Sequence, residues 1–136
     1  MNTTILIVDD NEDNRELLQL LLAGAGYQVS EAADGVACLG AARLEPPDLI
    51  LLDLSMPLMD GWAVLQELKG DPRTRDIPCI AVTAHADLNR NEALANGFKA
   101  YVSKPFMGDA LLKTISGVLE NLQATERELE SIRGTG

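Results

Sequence analysis

In the segment Leu49-Ile50-Leu51-Leu52-Asp53, four consecutive large apolar residues run directly into a carboxylate. A run without polar alternation predicts a strand of a parallel sheet that is covered by helices on both faces. A carboxylate that ends such a strand needs a partner, because burying an unpaired charge is costly. Three further apolar runs end in polar residues in the same way: Thr4–Val8 before Asp9 and Asp10, Cys79–Val82 before Thr83, and Ala100–Ser103 before Lys104-Pro105.

These four strand ends predict a binding site. Open parallel sheets bind ligands beyond the carboxyl ends of their strands, so three carboxylates, a hydroxyl and an ammonium are expected at one edge. Clustered carboxylates repel each other and need a cation, and hard divalent metals suit oxygen ligands. The lysine and the threonine remain to hold an anion beside the metal. This set of groups is typical of a site for Mg²⁺-assisted phosphoryl transfer.

Helical patterns alternate with strand patterns along the chain. The predicted strands are Thr4–Asp9, Tyr27–Ala32, Asp48–Asp53, Pro78–Thr83 and Phe98–Ser103. The predicted helices are Asn11–Ala25, Gly35–Leu44, Gly61–Lys69, Asp87–Asn96 and a fifth that starts near Gly108 or Asp109. This (βα)₅ alternation predicts a doubly wound parallel α/β sheet with the strand order 2-1-3-4-5. The second strand has a mixed pattern and is expected near an edge.

Composition bounds the class of protein. The 136 residues are 46% hydrophobic and 24% charged, as in one folded domain of ordinary size. Eleven basic against 21 acidic residues give a net charge of −10, which argues against a direct nucleic-acid surface. Cys38 and Cys79 are expected to be core residues in a reducing compartment. The first strand begins too early for a signal peptide, and no apolar run reaches the roughly 20 residues of a membrane span, so the cytoplasm is the expected location.

The end of the chain allows two interpretations. Residues 1–121 are predicted to form the domain, and residues 122–136 to extend the fifth helix or to fray as an acidic tail. Six residues follow a heptad spacing: Ile115, Val118, Leu122, Thr125, Leu129 and Ile132. A dimeric coiled coil or a signalling linker would use that spacing. Because the run covers fewer than three heptads and has Thr125 at a core position, a helix that faces the core and then frays is the favoured interpretation.

Four sequence blocks together resemble a known family. They are Ile7-Val8-Asp9-Asp10-Asn11, Asp53-Leu54-Ser55-Met56-Pro57-Leu58-Met59-Asp60-Gly61, Thr83-Ala84 and Lys104-Pro105-Phe106. In order and spacing they are similar to the receiver domain of two-component response regulators over about residues 4–121, in the single-domain form of chemotaxis regulators. The resemblance implies a flavodoxin-like fold.

The resemblance also implies a chemistry for the strand ends. Asp53 would accept a phosphoryl group from a phosphohistidine on a histidine kinase or a histidine phosphotransfer protein. Asp10, Asp53 and the backbone carbonyl of Ser55 would ligate Mg²⁺, or alternatively Mn²⁺, and Asp9 would act through a bound water. Lys104 would pair with Asp53 and then with the phosphoryl group. The chain would catalyse only its own phosphorylation and dephosphorylation, and would not be an enzyme for other substrates.

Switching is implied in the same way. Thr83 would bind a phosphoryl oxygen, and Tyr101 would change between an outward and an inward position. The surface of helix 4, strand 5 and helix 5 would then change for a downstream protein target or for a second copy of the chain. Ser55 and His85 would tune the lifetime of the phosphoryl group. The family implies a cis peptide bond between Lys104 and Pro105.

Four alternative functions share part or all of this pattern. A metal-dependent hydrolase with an aspartyl nucleophile needs an acid two residues later, where this chain has Ser55. A flavodoxin-like cofactor binder needs a phosphate loop after the first strand, where Asp9 and Asp10 would repel phosphate. A receiver cut from a larger regulator or hybrid kinase, or a docking module that works without phosphorylation, shares all the motifs. No direct contact with nucleic acid or membrane is expected.

Overall fold

Five parallel strands form one sheet in the order β2-β1-β3-β4-β5 in the computed structural model, which describes residues 2–84, 86–105 and 108–134. The strands are β1 Thr4–Val8, β2 Gln28–Ala32, β3 Leu49–Asp53, β4 Cys79–Thr83 and β5 Ala100–Ser103. The helices are α1 Glu12–Gly24, α2 Gly35–Leu44, α3 Gly61–Lys69, α4 Ala86–Asn96 and α5 Gly108–Gly134. The predicted fold class and strand order are confirmed.

Helices cover both faces of the sheet, and each face has its own hydrophobic core. The first core joins alternate strand residues to α2, α3 and the α4–β5 region; it includes Leu6, Ile50, Leu52, Cys38, Val64, Leu68, Ala93 and Phe98. The second joins the intervening strand residues to α1 and α5; it includes Ile5, Ile7, Leu49, Leu51, Leu18, Leu22, Leu111 and Ile115. Burial of each such aliphatic side chain stabilises the fold by about 1.5–3 kcal/mol.

The strands differ in burial according to their place in the sheet. Every residue of β3 and β4 is buried, as their unbroken apolar runs predict. β2 lies at an edge and is largely exposed, which confirms the interpretation of its mixed pattern. β5 forms the other edge. The carboxyl ends of three central strands therefore lie inside the sheet, where their polar residues can be shielded from water.

Four strands begin one or two residues later than predicted, and for β2 and β5 the reason is that the preceding helix closes on the first predicted residues. The amide of Tyr27 donates to the carbonyl of Leu22 at 3.1 Å, and the amide of Phe98 donates to the carbonyl of Ala93 at 3.0 Å. Gly26 and Gly97 precede these residues with φ of 96° and 113°, which is left-handed backbone that glycine adopts without strain. These are the contacts of a Schellman helix end, so Tyr27 and Phe98 belong to helix termination.

Polar caps begin three helices. Asn11 accepts a hydrogen bond from the amide of Asn14 at 3.0 Å, Asp34 from that of Ala37 at 2.8 Å, and Asp60 from that of Ala63 at 2.9 Å. Loss of such a cap costs about 1 kcal/mol. Within the described residues, no helix is long and apolar enough to cross a bilayer. Cys38 and Cys79 are buried free thiols, and burial raises the pKa of each to about 12.

The loop between β3 and α3 is folded tightly against the end of β3. A Cβ atom on Gly61 would lie 2.5 Å from the backbone oxygen of Asp53 and 2.8 Å from the Cα of Leu54. Leu58 in the same loop has φ of 68°, which is uncommon for a residue with a side chain. The chain therefore needs glycine at position 61 to pass close to Asp53.

Gly61→Ala is expected to destabilise the protein by about 1–3 kcal/mol, because backbone atoms cannot yield to the added methyl group. Urea unfolding followed by circular dichroism measures the effect. The matched control is Gly40→Ala in α2, where an added Cβ meets nothing within 4 Å. That control should gain about 0.5–1 kcal/mol from its higher helix propensity. Equal effects of the two substitutions would contradict the close approach at Gly61.

Candidate functional site

The carboxyl ends of β1, β3, β4 and β5 bring together the polar residues that follow or end them. The register pairs Val8 with Leu52, Asp53 with Val82, and Thr83 with Ser103, so the strand ends are level. Asp9, Asp10, Asp53 and Lys104 consequently gather at one edge of the sheet, with Thr83 beside them at the end of β4. The parallel topology, rather than nearness in sequence, creates this group.

Three carboxylates form the acidic cluster of the site. Asp9, Asp10 and Asp53 each offer a carboxylate oxygen, and these oxygens lie within 4.8 Å of one another. Asp9 and Asp53 are 1% and 2% exposed, whereas Asp10 is exposed. Two carboxylates thus lie in a region of low dielectric at close quarters, and one faces solvent. Such a group of hard oxygen donors could hold a metal ion.

Lys104 supplies positive charge to the two buried carboxylates. Its Nζ lies 3.1 Å from Oδ2 of Asp53 and 3.5 Å from Oδ2 of Asp9. The side chain is 24% exposed. The backbone amide of Lys104 donates to the carbonyl of Thr83 at 2.9 Å, and the Lys104–Pro105 peptide bond is cis. The end of β5 is thereby fixed to the end of β4 where the lysine enters the site.

Backbone amides orient the buried carboxylates. The amide of Ser55 donates to Oδ1 of Asp53 at 3.0 Å. The amide of Asn11 donates to Oδ1 of Asp9 at 2.9 Å, and Nδ2 of Asn14 donates to Oδ2 of Asp9 at 3.4 Å. Each carboxylate therefore has one oxygen held by the loop that follows it, and its other oxygen faces Lys104.

The ionisation of the two central groups follows from burial and charge. Burial raises the pKa of Asp53 above the ordinary carboxyl value; the Ser55 amide and Lys104 act against this shift, and the charge of Asp9 adds to it. Burial lowers the pKa of Lys104, but the hydrogen bond and charge of Asp53 and the charge of Asp9 outweigh it and raise that pKa. Lys104 therefore stays charged, whereas the negative charge on Asp53 is held at a cost.

The remaining predicted residues occupy different positions around this group. Thr83 is 1% exposed at the end of β4, and Ser55 is exposed two residues after Asp53. Tyr101 is half-buried on β5, and the guanidinium carbon of Arg90 lies 5.2 Å from the centroid of its ring. His85 lies outside the described residues.

Sequence reasoning missed Asn14 and Arg15, which lie on the first turns of α1. Nη1 of Arg15 donates to the backbone carbonyl of Asp9 at 2.8 Å. Both residues follow the acidic pair by one helical turn, so they lie over the loop that carries it. This spacing from Asp9 and Asp10 was the only sequence signal for a role at the site. It is a weak signal, because polar residues are common on helix surfaces.

A cleft of about 790 Å³ lies away from this site. Its lining includes Thr3 at the start of β1, Pro47 and Pro78 before β3 and β4, and Leu119 on α5. These positions mark the opposite, amino-terminal edge of the sheet. None of the predicted site residues lines it, so the chemistry belongs to the acidic cluster and its surroundings.

Comparison with known proteins identifies the family. A sequence model of the response regulator receiver domain matches residues 5–116, so the chain belongs to the response regulator receiver domain family. The polar-differentiation response regulator DivK of Brucella ovis is 38% identical over 120 residues, which are 88% of this chain and 98% of DivK. The response regulator PleD of Caulobacter vibrioides is 43% identical over 106 residues, which are 77% of this chain but only 23% of PleD.

A solved structure supports the same conclusion. The receiver domain of a sensor histidine kinase from Pseudomonas aeruginosa superposes with a TM-score of 0.77 and 31% identity, over 89% of this chain and 97% of that one. The predicted family is therefore confirmed. Receiver domains are signalling switches of two-component systems rather than ordinary enzymes, and they interact with kinases and downstream targets.

Asp53→Asn is expected to raise the free energy of unfolding near neutral pH in buffer that contains EDTA. Because the folded state raises the pKa of Asp53, it binds that proton more tightly than the unfolded chain does. Stability is therefore lost as the pH rises from the ordinary carboxyl pKa through the raised one, and the amide avoids this loss. Urea unfolding over a pH series measures the difference in stability between wild type and Asp53→Asn. This difference should vanish at low pH, where Asp53 is protonated in both the folded and the unfolded chain.

The control for this experiment is Asp76→Asn, which changes a carboxylate that is 93% exposed. Its effect on stability should be small at every pH. A lower stability of Asp53→Asn at neutral pH would instead show that the ion pair with Lys104 outweighs the cost of burying the charge.

Proposed function

We propose that this chain is a phosphorylation-dependent signalling switch, in which Asp53 accepts a phosphoryl group with Mg²⁺ as cofactor. The observation that carries the proposal is the cluster of Asp9, Asp10 and Asp53 with Lys104 at 3.1 Å from Asp53. The donors are the histidine kinase or histidine phosphotransfer protein expected for a receiver. A downstream protein reads the result.

The donor set fits magnesium. Mg²⁺ takes oxygen ligands at about 2.0–2.1 Å in an octahedron, so ligand oxygens lie at most about 4.2 Å apart. Carboxylate oxygens that lie within 4.8 Å of one another are near enough to share one ion once the side chains turn toward it. The receiver domain from Pseudomonas aeruginosa was solved with a magnesium ion coordinated in its active site cleft. In this chain Asp10, Asp53 and the backbone carbonyl of Ser55 would hold the ion, and Mn²⁺ would suit the same oxygens.

Asp53 is the proposed nucleophile because it is a buried carboxylate and lies nearer to Lys104, at 3.1 Å, than the other buried carboxylate, Asp9, at 3.5 Å. Its oxygen attacks the phosphorus, the P–N bond to the donor histidine breaks, and that nitrogen keeps the electron pair. Bound Mg²⁺ neutralises charge that develops on the phosphoryl oxygens. Lys104 moves from the Asp53 carboxylate to a phosphoryl oxygen, which carries the charge after transfer. The Thr83 hydroxyl donates to another phosphoryl oxygen.

Ser55, two residues after Asp53, is the feature that limits the proposed reaction to the chain's own carboxylate. A phosphatase that uses an aspartyl nucleophile needs a general acid two residues later to protonate the leaving group. Ser55 occupies that position with its amide bound to Asp53. We therefore propose self-phosphorylation and self-dephosphorylation, with Ser55 and His85 tuning the lifetime of the phosphoryl group, and no turnover of external substrates.

The proposed output surface is formed by α4, β5 and α5. Inward movement of Thr83 toward the phosphoryl group would open space for Tyr101, so the two tyrosine positions would report the two states. A population shift of this kind needs only a few kcal/mol of differential interaction. The same surface, or the heptad residues of α5 beyond residue 121, would serve contact with a target or a second copy.

Wild-type protein incubated with Mg²⁺ and acetyl phosphate is expected to gain one phosphoryl group, because the small donor can replace the partner histidine. Intact-mass spectrometry measures the gain, which should be lost in Asp53→Asn and with EDTA. The matched control is Asp60→Asn, which keeps a capping oxygen on α3 and should be phosphorylated like wild type. Phosphorylation of the Asp53→Asn variant would overturn the assignment of the acceptor.

Arg90→Ala is expected to favour the inward position of Tyr101. The cation–π contact is worth about 0.5–1 kcal/mol at an exposed site, which corresponds to about a two- to fivefold change in population. The rate of phosphorylation by acetyl phosphate should rise by a similar factor, since the active-like state is more populated before the reaction. The control is Arg75→Ala, an exposed arginine on the α3–β4 loop. An unchanged rate in Arg90→Ala would remove the contact from the switch.

A further inference from the structure

Arg15 is a partly buried cation beside the acidic cluster that has no role in the chemistry above. Its side chain is 17% exposed, although it lies on the outer turns of α1. Nη1 donates to the backbone carbonyl of Asp9 at 2.8 Å, and Nε lies 3.4 Å from Oε1 of Glu31 at the end of β2. The guanidinium thus connects α1, the end of β1 and the edge strand β2.

The carbonyl that Arg15 holds belongs to the peptide unit that leads into Asp10. Because a peptide unit is planar, fixing its oxygen also fixes the direction in which the next Cα atom leaves it. The amide of Asp9 is bound to the carbonyl of Ala32 at 3.2 Å, so the unit before Asp9 is held by the sheet. Arg15 holds the unit after it, which carries the exposed Asp10 carboxylate out over the site.

The charge of Arg15 and its geometry predict opposite effects on the binding of a cation by the acidic cluster. A guanidinium near three carboxylates lowers the local negative charge, and by electrostatics alone it weakens the binding of a second cation. Its planar fork of N–H donors, in contrast, can bind Asp9 and Glu31 at the same time in a fixed orientation. The sign of the effect of removing Arg15 therefore separates a role in positioning from a role in charge.

We propose that Arg15 is a positioning residue for the metal: it fixes the Asp9–Asp10 peptide so that the Asp10 carboxylate faces the other two, and Glu31 orients the guanidinium. This inference rests on the proposed function, because Mg²⁺ is the ion concerned. Arg15 does not touch the ion or the phosphoryl group. Partners of this kind, one shell outside the ligands, typically change metal affinity by about 10–100-fold.

Isothermal titration calorimetry of Mg²⁺ into the metal-free protein tests the proposal. Arg15→Met is expected to weaken Mg²⁺ binding by about tenfold, the lower end of the range for such partners. Arg15→Lys keeps the charge but loses the fork, and it should also bind more weakly than wild type. The matched control is Arg43→Met, which removes an arginine paired with Asp71 at 2.9 Å on α2 and should leave the affinity unchanged.

Glu31→Gln tests the second contact without removing Arg15, and it stays informative if Arg15→Met folds poorly. It should weaken Mg²⁺ binding in the wild-type background and have no further effect in the Arg15→Met background. If Glu31 acted only through its charge, the loss would be the same in both backgrounds. Chemical denaturation of each variant separates a loss of affinity from a general loss of stability.

The outcomes decide between the proposals. Equal or tighter Mg²⁺ binding by Arg15→Met, with wild type binding normally, would overturn the role of Arg15 and leave the proposed function intact. No Mg²⁺ binding by wild-type protein would overturn the proposed function and this inference together. Weaker binding in Arg15→Met and Arg15→Lys, with an unchanged Arg43→Met control, supports positioning by the guanidinium.

Discussion

Two buried carboxylates share one ammonium at the carboxyl edge of the sheet, and the rest of the site depends on this imbalance of charge. Asp9 and Asp53 are almost completely buried, and Lys104 contacts both. Lys104 cannot by itself neutralise the two buried anions that it contacts and the exposed Asp10 as well, so the site keeps negative charge that a divalent ion would compensate. Burial raises the pKa of Asp53, and the charge of Asp9 adds to the shift, so the ionised form of Asp53 is costly in the folded protein. A site that is costly in the resting protein is well placed to respond when charge is added to it.

Local backbone contacts hold this edge of the sheet in place, in addition to the strand topology. The parallel strands bring the polar residues level, and the loop amides of Asn11 and Ser55 fix one oxygen of each buried carboxylate. Gly61 lets the β3–α3 loop pass against the backbone of Asp53. Because the acidic loop after β1 is held from α1 and β2 as well, the site is connected to elements on both sides of the sheet. The proposed switch uses the β4–β5 end of the sheet, where Thr83 and Tyr101 lie on the strands next to α4 and α5.

The sequence was sufficient for the features that depend on long patterns. Continuous apolar runs predicted the buried strands β3 and β4, and the mixed pattern of β2 predicted its place at an edge. Strand starts were less predictable, because Tyr27 and Phe98 are apolar residues that close the preceding helices through a single backbone bond. Arg15 was not predicted at all, since its role depends on a contact with a backbone carbonyl and on Glu31 from another strand. Contacts of this kind leave no periodic trace in a sequence.

The most direct test of the account is to locate the phosphoryl group chemically. Acetyl phosphate-treated protein is reduced with borohydride, which converts an aspartyl phosphate to homoserine, and the altered residue is found by tandem mass spectrometry of the peptides. Homoserine is expected at position 53, and only in samples that contained Mg²⁺. Homoserine at position 9 or 10, or the same yield at position 53 without the metal, would contradict the assignment of Asp53 as acceptor in a magnesium-dependent site.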